Sequence, residues 1–177
     1  MATRCVALLR GINVGKARQV DMTRLREVLG ARGHTDVRTH LRSGNVVLDT
    51  GLAEGDLVRD VEAAVREEFG FDVPVVVRTA AALAEVIAAD PLGDVATDPA
   101  RYLVTFLPVA PAAERLASLP PEPEDDRFRV LGRELYQWLP GGVLGSATSG
   151  WRWGELLGVT GTARNWNTVR RLAELAG

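Results

Sequence analysis

The hydrophobic positions of this chain change period repeatedly, and the changes mark its elements. Residues 5–9 (Cys-Val-Ala-Leu-Leu) are an unbroken apolar run stopped by Arg10-Gly11, the signature of a buried strand. Residues 11–19 read as a loop. Met22, Leu25, Val28 and Leu29 then recur at helical spacing. Asp21 is the expected N-cap, Val20 and Leu25 form a hydrophobic staple, and Gly30 and Gly33 end the helix. Residues 37–41 and 46–49 are strand-like and flank Arg42-Ser43-Gly44-Asn45, a hairpin signal. Leu57, Val61, Ala64, Val65 and Phe69 mark a second helix closed by Gly70, and residues 73–77 form a strand with Pro74 at its start.

Strand, helix, strand, strand, helix, strand is the split βαβ, or ferredoxin-like, order. Its geometry brings the 11–19 loop and the Arg42–Asn45 hairpin to one end of the sheet. The remainder repeats the order more weakly. Residues 80–89 read as a helix capped by Thr79, and residues 91–100 as a linker. Strands follow at 102–107, 128–131 and 134–139, with a short helix at 112–119. Residues 141–150 are a Gly/Ser-rich loop, and residues 151–157 and 162–176 read as helical. The expected fold is α+β: two ferredoxin-like lobes related by structural duplication. Residues 1–79 make the first lobe, 80–100 a helix and linker, and 101–177 a second βαββα lobe whose C-terminal helix docks on the first.

Polar residues interrupt this pattern at two places. Arg10-Gly11-Ile12-Asn13-Val14-Gly15-Lys16 runs off the first strand, and Arg164-Asn165-Trp166-Asn167-Thr168 opens the last predicted helix. The first is not a P-loop: three residues, not four, separate Gly11 from Gly15, and Ala17 follows Lys16. Two readings stand. Backbone N–H groups with Lys16 and Arg18 form a phosphate-binding nest, or the glycines serve turns while Asn13 bonds its own backbone. Strand alternation sets Arg10 opposite Leu9, toward solvent or a cleft. Trp166 shares a face with Val169, Leu172, Ala173 and Ala176, so it belongs to the core. The helix start beside Arg164 and Asn165 suits an anion, or the asparagines tie the helix down.

Other constellations carry no chemistry. His40 and Ser43 have no orienting acid. Cys5 lies in an apolar run, where a thiol is inert. His34, His40 and one cysteine give no metal-ligand spacing. Over the 177 residues, 25% are charged and the formal charge is −2, which argues against bulk electrostatic binding to nucleic acid. A single cysteine excludes an internal disulfide and fits a reducing cytoplasm. No apolar run reaches membrane-spanning length, and the first ten residues lack a signal-peptide core, so a cytoplasmic location is expected.

Residues 7–15 (Ala-Leu-Leu-Arg-Gly-Ile-Asn-Val-Gly), 43–46 (Ser-Gly-Asn-Val), 68–75 (Glu-Phe-Gly-Phe-Asp-Val-Pro-Val), 104–107 (Val-Thr-Phe-Leu) and 162–168 (Thr-Ala-Arg-Asn-Trp-Asn-Thr) have familiar company. In this order they resemble a bacterial family of uncharacterised proteins, domain of unknown function 1697. The resemblance spans essentially the whole chain and implies an α+β fold of two related lobes. It implies no established activity and no catalytic residues. The chain departs from the family pattern in the segment Leu144-Gly145-Ser146-Ala147-Thr148, where members often carry Arg-Ser-Lys, and at Gln19, where Lys is common.

The leading expectation is a small anionic ligand, phosphate- or nucleotide-like, in an inter-lobe cleft bounded by Arg10, Asn13, Lys16, Ser43, Asn45, Arg164, Asn165 and Asn167. No acid–base pair has an assignable role, so no reaction is named. No cofactor, metal, membrane or nucleic-acid partner is expected, and the oligomeric state is left open. Two other readings remain. One is a nucleic-acid-binding module, although the first lobe's strands lack stacking aromatics. The other is a protein-interaction domain using Trp138, Trp151 and Trp153, which alternatively pack the second lobe.

Overall fold

The computed structural model describes residues 1–177, which divide into two compact units, Met1–Glu85 with Leu172–Gly177, and Val86–Arg171. The first unit runs β1 (Thr3–Leu9), α1 (Met22–Ala31), β2 (Thr35–His40), β3 (Asn45–Thr50), α2 (Glu54–Phe69) and β4 (Val75–Thr79). Its strands form a sheet of order β2-β3-β1-β4, every neighbouring pair antiparallel. Cys5, Ala7 and Leu9 of β1, Val46 and Leu48 of β3, and Val75 and Val77 of β4 face one core with Leu25, Leu29, Leu57, Val61 and Val65 of the two helices. Val6, Leu8, Val47 and Val76, which alternate with them, are buried too. Burial on both faces explains why β1 reads as a continuous apolar run and not an alternating one.

The helix ends follow local chemistry. The Asp21 carboxylate accepts from the Arg24 N–H at 2.7 Å, so it is the N-cap of α1. Gly70 closes α2 at φ +83°, a left-handed conformation that costs glycine little. Glu54 and Asp56 stand in the first turn of α2 and Arg66 in its last, each suited to the helix dipole.

The second unit repeats the plan. The connecting helix α3 (Ala80–Ala89) is capped by Thr79, whose hydroxyl accepts from Ala82 N–H at 3.1 Å. Then come β5 (Tyr102–Phe106), α4 (Ala113–Ala117), β6 (Arg127–Leu131), β7 (Glu134–Trp138), α5 (Gly142–Gly145), α6 (Trp153–Leu157), β8 (Thr162–Asn165) and α7 (Trp166–Ala176). The antiparallel order β6-β7-β5-β8 matches the first sheet position for position. The molecule is therefore an α+β arrangement of two similar lobes. Leu107, Leu135 and Leu157 centre a core ringed by Leu119, Phe128, Val130, Trp153 and Val159. On Tyr102 of β5, Trp166 stacks at 4.7 Å between ring centroids.

Two elements differ from the sequence reading: residues 142–145, within the expected Gly/Ser-rich loop, form the short helix α5, and the start of the last helix is a strand. Residues 162–165 are not the first turn of the last helix but a strand paired with β5. Thr162 and Arg164 are buried while Ala163 is exposed, an alternation of period two. Four residues with no β-rich composition carry little signal of their own; pairing with β5 decides their state. The helix begins at Trp166, and Asn165 caps it by accepting from Thr168 N–H at 3.0 Å.

A buried polar chain ties together the first unit's far end. His34 Nε2 lies 2.9 Å from Asp60 Oδ2, and His34 Nδ1 lies 3.1 Å from Thr50 Oγ1. Leu52 N–H donates to that same hydroxyl oxygen. One proton arrangement satisfies every group: Nε2–H donates to Asp60, the Thr50 hydroxyl donates to Nδ1, and Leu52 donates to Thr50. Arg32 adds an ion pair to Asp60 at 2.9 Å. Burial alone would raise the Asp60 carboxyl, but hydrogen bonds from Arg32 and His34 outweigh it and hold the group below the usual carboxylate range. A depressed folded-state pKa contributes stability above the unfolded value, about 3.9, and loses it as pH falls through the folded value. Asp60→Asn is expected to cost about 1–3 kcal/mol at neutral pH. It should also flatten the acid limb of stability against pH, measured by urea unfolding from neutral pH to strongly acidic pH. A variant as acid-sensitive as the parent would refute this account.

Candidate anion site

The loop after β1 is shaped by backbone that few residues adopt. Gly11, Asn13 and Gly15 have φ of +67°, +55° and +63°, and Arg18 follows at +52°. Positive φ thus falls on alternate residues from 11 to 15. This alternation is the one that turns successive N–H groups toward a common concavity. Asparagine tolerates the left-handed region better than other side-chain-bearing residues.

Asn13 holds the loop closed. Its Oδ1 accepts from Val20 N–H at 2.8 Å, and its Nδ2 donates to the Val20 carbonyl at 3.1 Å and to the Arg42 carbonyl at 2.7 Å. Its own N–H donates to the Arg18 carbonyl. One amide therefore binds both ends of the loop and the β2–β3 hairpin. Gln19 is a second strut, donating to the Gly15 and Ala17 carbonyls and accepting from Arg42 at 3.1 Å. Ile12 is buried beneath the loop. In the hairpin, Asn45 is fully buried and donates to the His40 carbonyl at 2.8 Å and to Ser43 Oγ at 3.1 Å.

The exposed surface of this scaffold is cationic. Lys16, the chain's one lysine, and Arg10, Arg18 and Arg42 all face solvent. Arg18 donates to the Asp72 carbonyl and lies 5.8 Å over the Phe71 ring. Elsewhere in this unit Arg4, Arg24, Arg32, Arg38, Arg59 and Arg66 each pair with a carboxylate. The four loop and hairpin cations form no ion pair. Beside them is a depression of about 410 Å³ lined by Gln19, Val20, Asp21, Met22, Thr23 and Arg42. It opens at the start of α1, where the first N–H groups have no partner within the helix. The one acid in its lining, Asp21, has its carboxylate engaged as the N-cap.

The expected site residues fall in both units. Arg10, Asn13, Lys16, Ser43 and Asn45 lie in the first, gathered where the 11–19 loop meets the hairpin. Asn13 and Asn45 form the scaffold, whereas Arg10, Lys16 and Ser43 stand at the surface. Arg164, Asn165 and Asn167 lie in the second unit. Arg164 sits on β8, and its Nη1 donates to Thr162 Oγ1 and to the Ala163 carbonyl, each at 2.8 Å. Burial pushes its pKa down to about 10. Asn165 is the cap of α7, and Asn167 is exposed. Gln19 and Arg42 join the site from the structure; they bond each other across 23 residues, which no local pattern reveals.

The Thr50–His34–Asp60 chain has the order of a nucleophile, a base and an orienting acid. It is scaffold all the same. Thr50 and His34 are 3% and 5% exposed, and the Thr50 oxygen already accepts from Leu52. No group of His, Cys, Asp and Glu is arranged to hold a metal, and no helix is long and apolar enough to cross a membrane.

Two split-βαβ lobes, the first with a cationic loop at one end of its sheet, make this an α+β protein. Residues 2–136 match the family described as protein of unknown function (DUF1697), and the chain belongs to it. Its fold is similar to that of the conserved bacterial protein SP0830 from Streptococcus pneumoniae. The TM-score is 0.77 at 20% identity, over 100% of each chain. No curated protein matches the chain.

The Asn13 geometry makes a graded prediction. Asn13→Ala loses three side-chain hydrogen bonds and leaves at positive φ a residue without the polar side chain that makes this conformation tolerable, so a loss of about 2–3 kcal/mol is expected. Asn13→Gly keeps the backbone conformation and loses only the amide, so it should recover about 1 kcal/mol of that. Urea unfolding of the two variants checks the order; equal losses would mean that φ at this position is unstrained.

Proposed function

We propose that this protein binds a small phosphate-bearing anion at the 11–19 loop. The observation that carries the reading is the charge of Arg10, Lys16, Arg18 and Arg42, none of it in an ion pair, around a loop already held in shape, in a unit where Arg4, Arg24, Arg32, Arg38, Arg59 and Arg66 are each matched to an acid and Arg26 bonds only threonine hydroxyls. Like charges gathered without a counter-ion repel, and a bound anion relieves that repulsion. The backbone adds donors that need no rearrangement: the alternate positive φ from Gly11 to Gly15 and the open start of α1. Because Asn13 and Gln19 fix the loop beforehand, little conformational entropy is lost on binding.

The anion is small. The depression of about 410 Å³ lies within the usual range of small-ligand sites. A nucleic-acid strand fits poorly, because the overall charge is −2, both faces of β1, β3 and β4 are buried, and the exposed edge strand β2 carries no Phe, Tyr or Trp side chain for base stacking. The loop provides cations and backbone donors but no free acid to pair with a base. The function proposed is therefore binding, not a named reaction.

Lys16 makes the test direct, because reductive methylation with ¹³C formaldehyde labels one side-chain amine in the whole chain besides the N-terminus. Titration with inorganic phosphate, pyrophosphate and a nucleoside triphosphate is expected to move the Lys16 signal saturably and leave the terminal signal in place. Arg42→Ala should weaken binding about tenfold, roughly 1.4 kcal/mol. A Lys16 signal that ignores all three anions at low ionic strength would sink the proposal.

A further inference from the structure

The second unit contains a larger concavity that the anion site does not use. It measures about 740 Å³ and is lined by Glu114, Arg115 and Ser118 of the α4 segment, by Pro120, and by Trp151, Arg152, Glu155 and Leu156 around α6. We infer that it is a binding site for an uncharged, ring-bearing small molecule stacked on Trp151.

Its aromatic wall is fixed in advance. Trp151 meets Phe128 edge-on at 5.7 Å and Trp153 at 5.4 Å, and Phe128 meets Trp153 at 5.2 Å. The trio is held from behind through Thr148. The Trp153 indole N–H donates to the Thr148 carbonyl at 2.9 Å, and Trp151 N–H donates to the same oxygen at 3.2 Å. Thr148 in turn is clamped by buried Asp126, which accepts from its N–H and its hydroxyl, both at 2.8 Å. Ser146 donates to the same carboxylate oxygen. Trp151 keeps part of its surface exposed. A large aromatic surface held rigidly at the edge of a cavity binds a flat partner with little entropy loss.

The two walls are also braced. Arg115 Nη1 donates to the Glu155 carbonyl at 3.1 Å, joining α4 to α6. Gly158, at φ +69°, makes room for this contact: a Cβ there would lie 3.3 Å from Arg115 Nε. The site thus has a defined width and does not depend on the marginal stability of two five-residue helices.

The lining selects against net charge. Glu114 and Glu155 balance Arg115 and Arg152, and Arg152 is paired with Glu155 at 2.5 Å. The lining thus carries no net charge to attract an ion, unlike the cluster around Lys16. The apolar contribution comes from Trp151, Leu156 and Pro120, and the volume suits one molecule of two or three fused rings.

The neutral probe N-phenyl-1-naphthylamine tests this on the whole chain, read by its own fluorescence and by quenching of tryptophan. Saturable binding with one probe per chain is expected. Ser118→Phe fills the cavity from an exposed position and should weaken binding at least tenfold while the melting temperature stays put. Trp151→Ala should weaken binding as much, with a lowered melting temperature because the ring also packs on Phe128 and Trp153; if that variant fails to fold, Ser118→Phe alone decides. Lys16→Ala should bind the probe as the parent does, which separates this site from the anion site. Unsaturable or absent binding overturns the inference, as does undiminished binding by folded Ser118→Phe. A probe signal that disappears on dilution together with a dimer seen by light scattering also overturns it, since the cavity would then be covered by a second copy.

Discussion

The cationic loop depends on one close approach, that of the hairpin backbone to the end of β1. Leu9 N–H donates to the Gly44 carbonyl at 2.8 Å, extending the β1–β3 ladder beyond its last paired residues. A side chain at position 44 has no room: a Cβ would lie 2.8 Å from Leu9 Cβ and 2.9 Å from Ile12 Cδ1, and φ there is +94°. Only glycine satisfies both the space and the backbone angle. Once Gly44 is seated, the Arg42 carbonyl stands where Asn13 can reach it, and the loop closes over Ile12. Arg42 then comes beside Gln19 at the mouth of the depression. Moving the hairpin outward by a methyl group's width would break each of these contacts in turn.

Both lobes solve the same burial problem with different side chains. The first sheet is aliphatic, and its helices α1 and α2 are long enough to cover it. The second has helices of only four and five residues between its strands, so aromatic rings and buried hydrogen bonds supply what helix length does not. Tyr102 stacked on Trp166 and the Phe128–Trp151–Trp153 trio serve that purpose. So does Asp126: burial opposes its ionisation, but the Ser146 and Thr148 donors keep its carboxyl below the usual range. Identical strand order from unlike sequences follows, because topology needs only alternating burial and turns in the right places.

How far the sequence reveals this depends on the range of the interactions. The helices around Leu25 and Val61, the Asp21 cap, the Gly70 stop and the hairpin at Gly44 are local, and each is legible in period and turn chemistry. The meeting of the 11–19 loop with the hairpin is legible from topology, and the hydrogen bond from Asn13 to the Arg42 carbonyl agrees with it. Residues 162–165 are not legible, because a strand of four with an inward Arg164 has the composition of a helix start. His34, Thr50 and Asp60 lie 16 and 26 residues apart in sequence, and Asp126 lies 22 from Thr148. Partnerships at such distances leave no periodic trace. Trp151 is the intermediate case: its aromatic character suits either core or anchor, and the fold packs it on Phe128 and Trp153 with part of its surface exposed.

The two candidate sites share a principle of construction. In each, one polar side chain is spent on internal hydrogen bonds, Asn13 on backbone groups in one and Asp126 on the Ser146 and Thr148 hydroxyls and the Thr148 N–H in the other. That engagement immobilises a loop which would otherwise be flexible, given the glycines at 11, 15, 141, 142 and 145. The outward groups, Lys16 and Arg10 on the first loop, and the exposed part of Trp151 beside the second, are thereby held in place at the surface. Rigid support beneath an exposed cation or indole costs conformational entropy during folding that core packing alone does not require. A fold needing only stability would let these loops move. The expense of holding them still is the physical reason to look for ligands at both places.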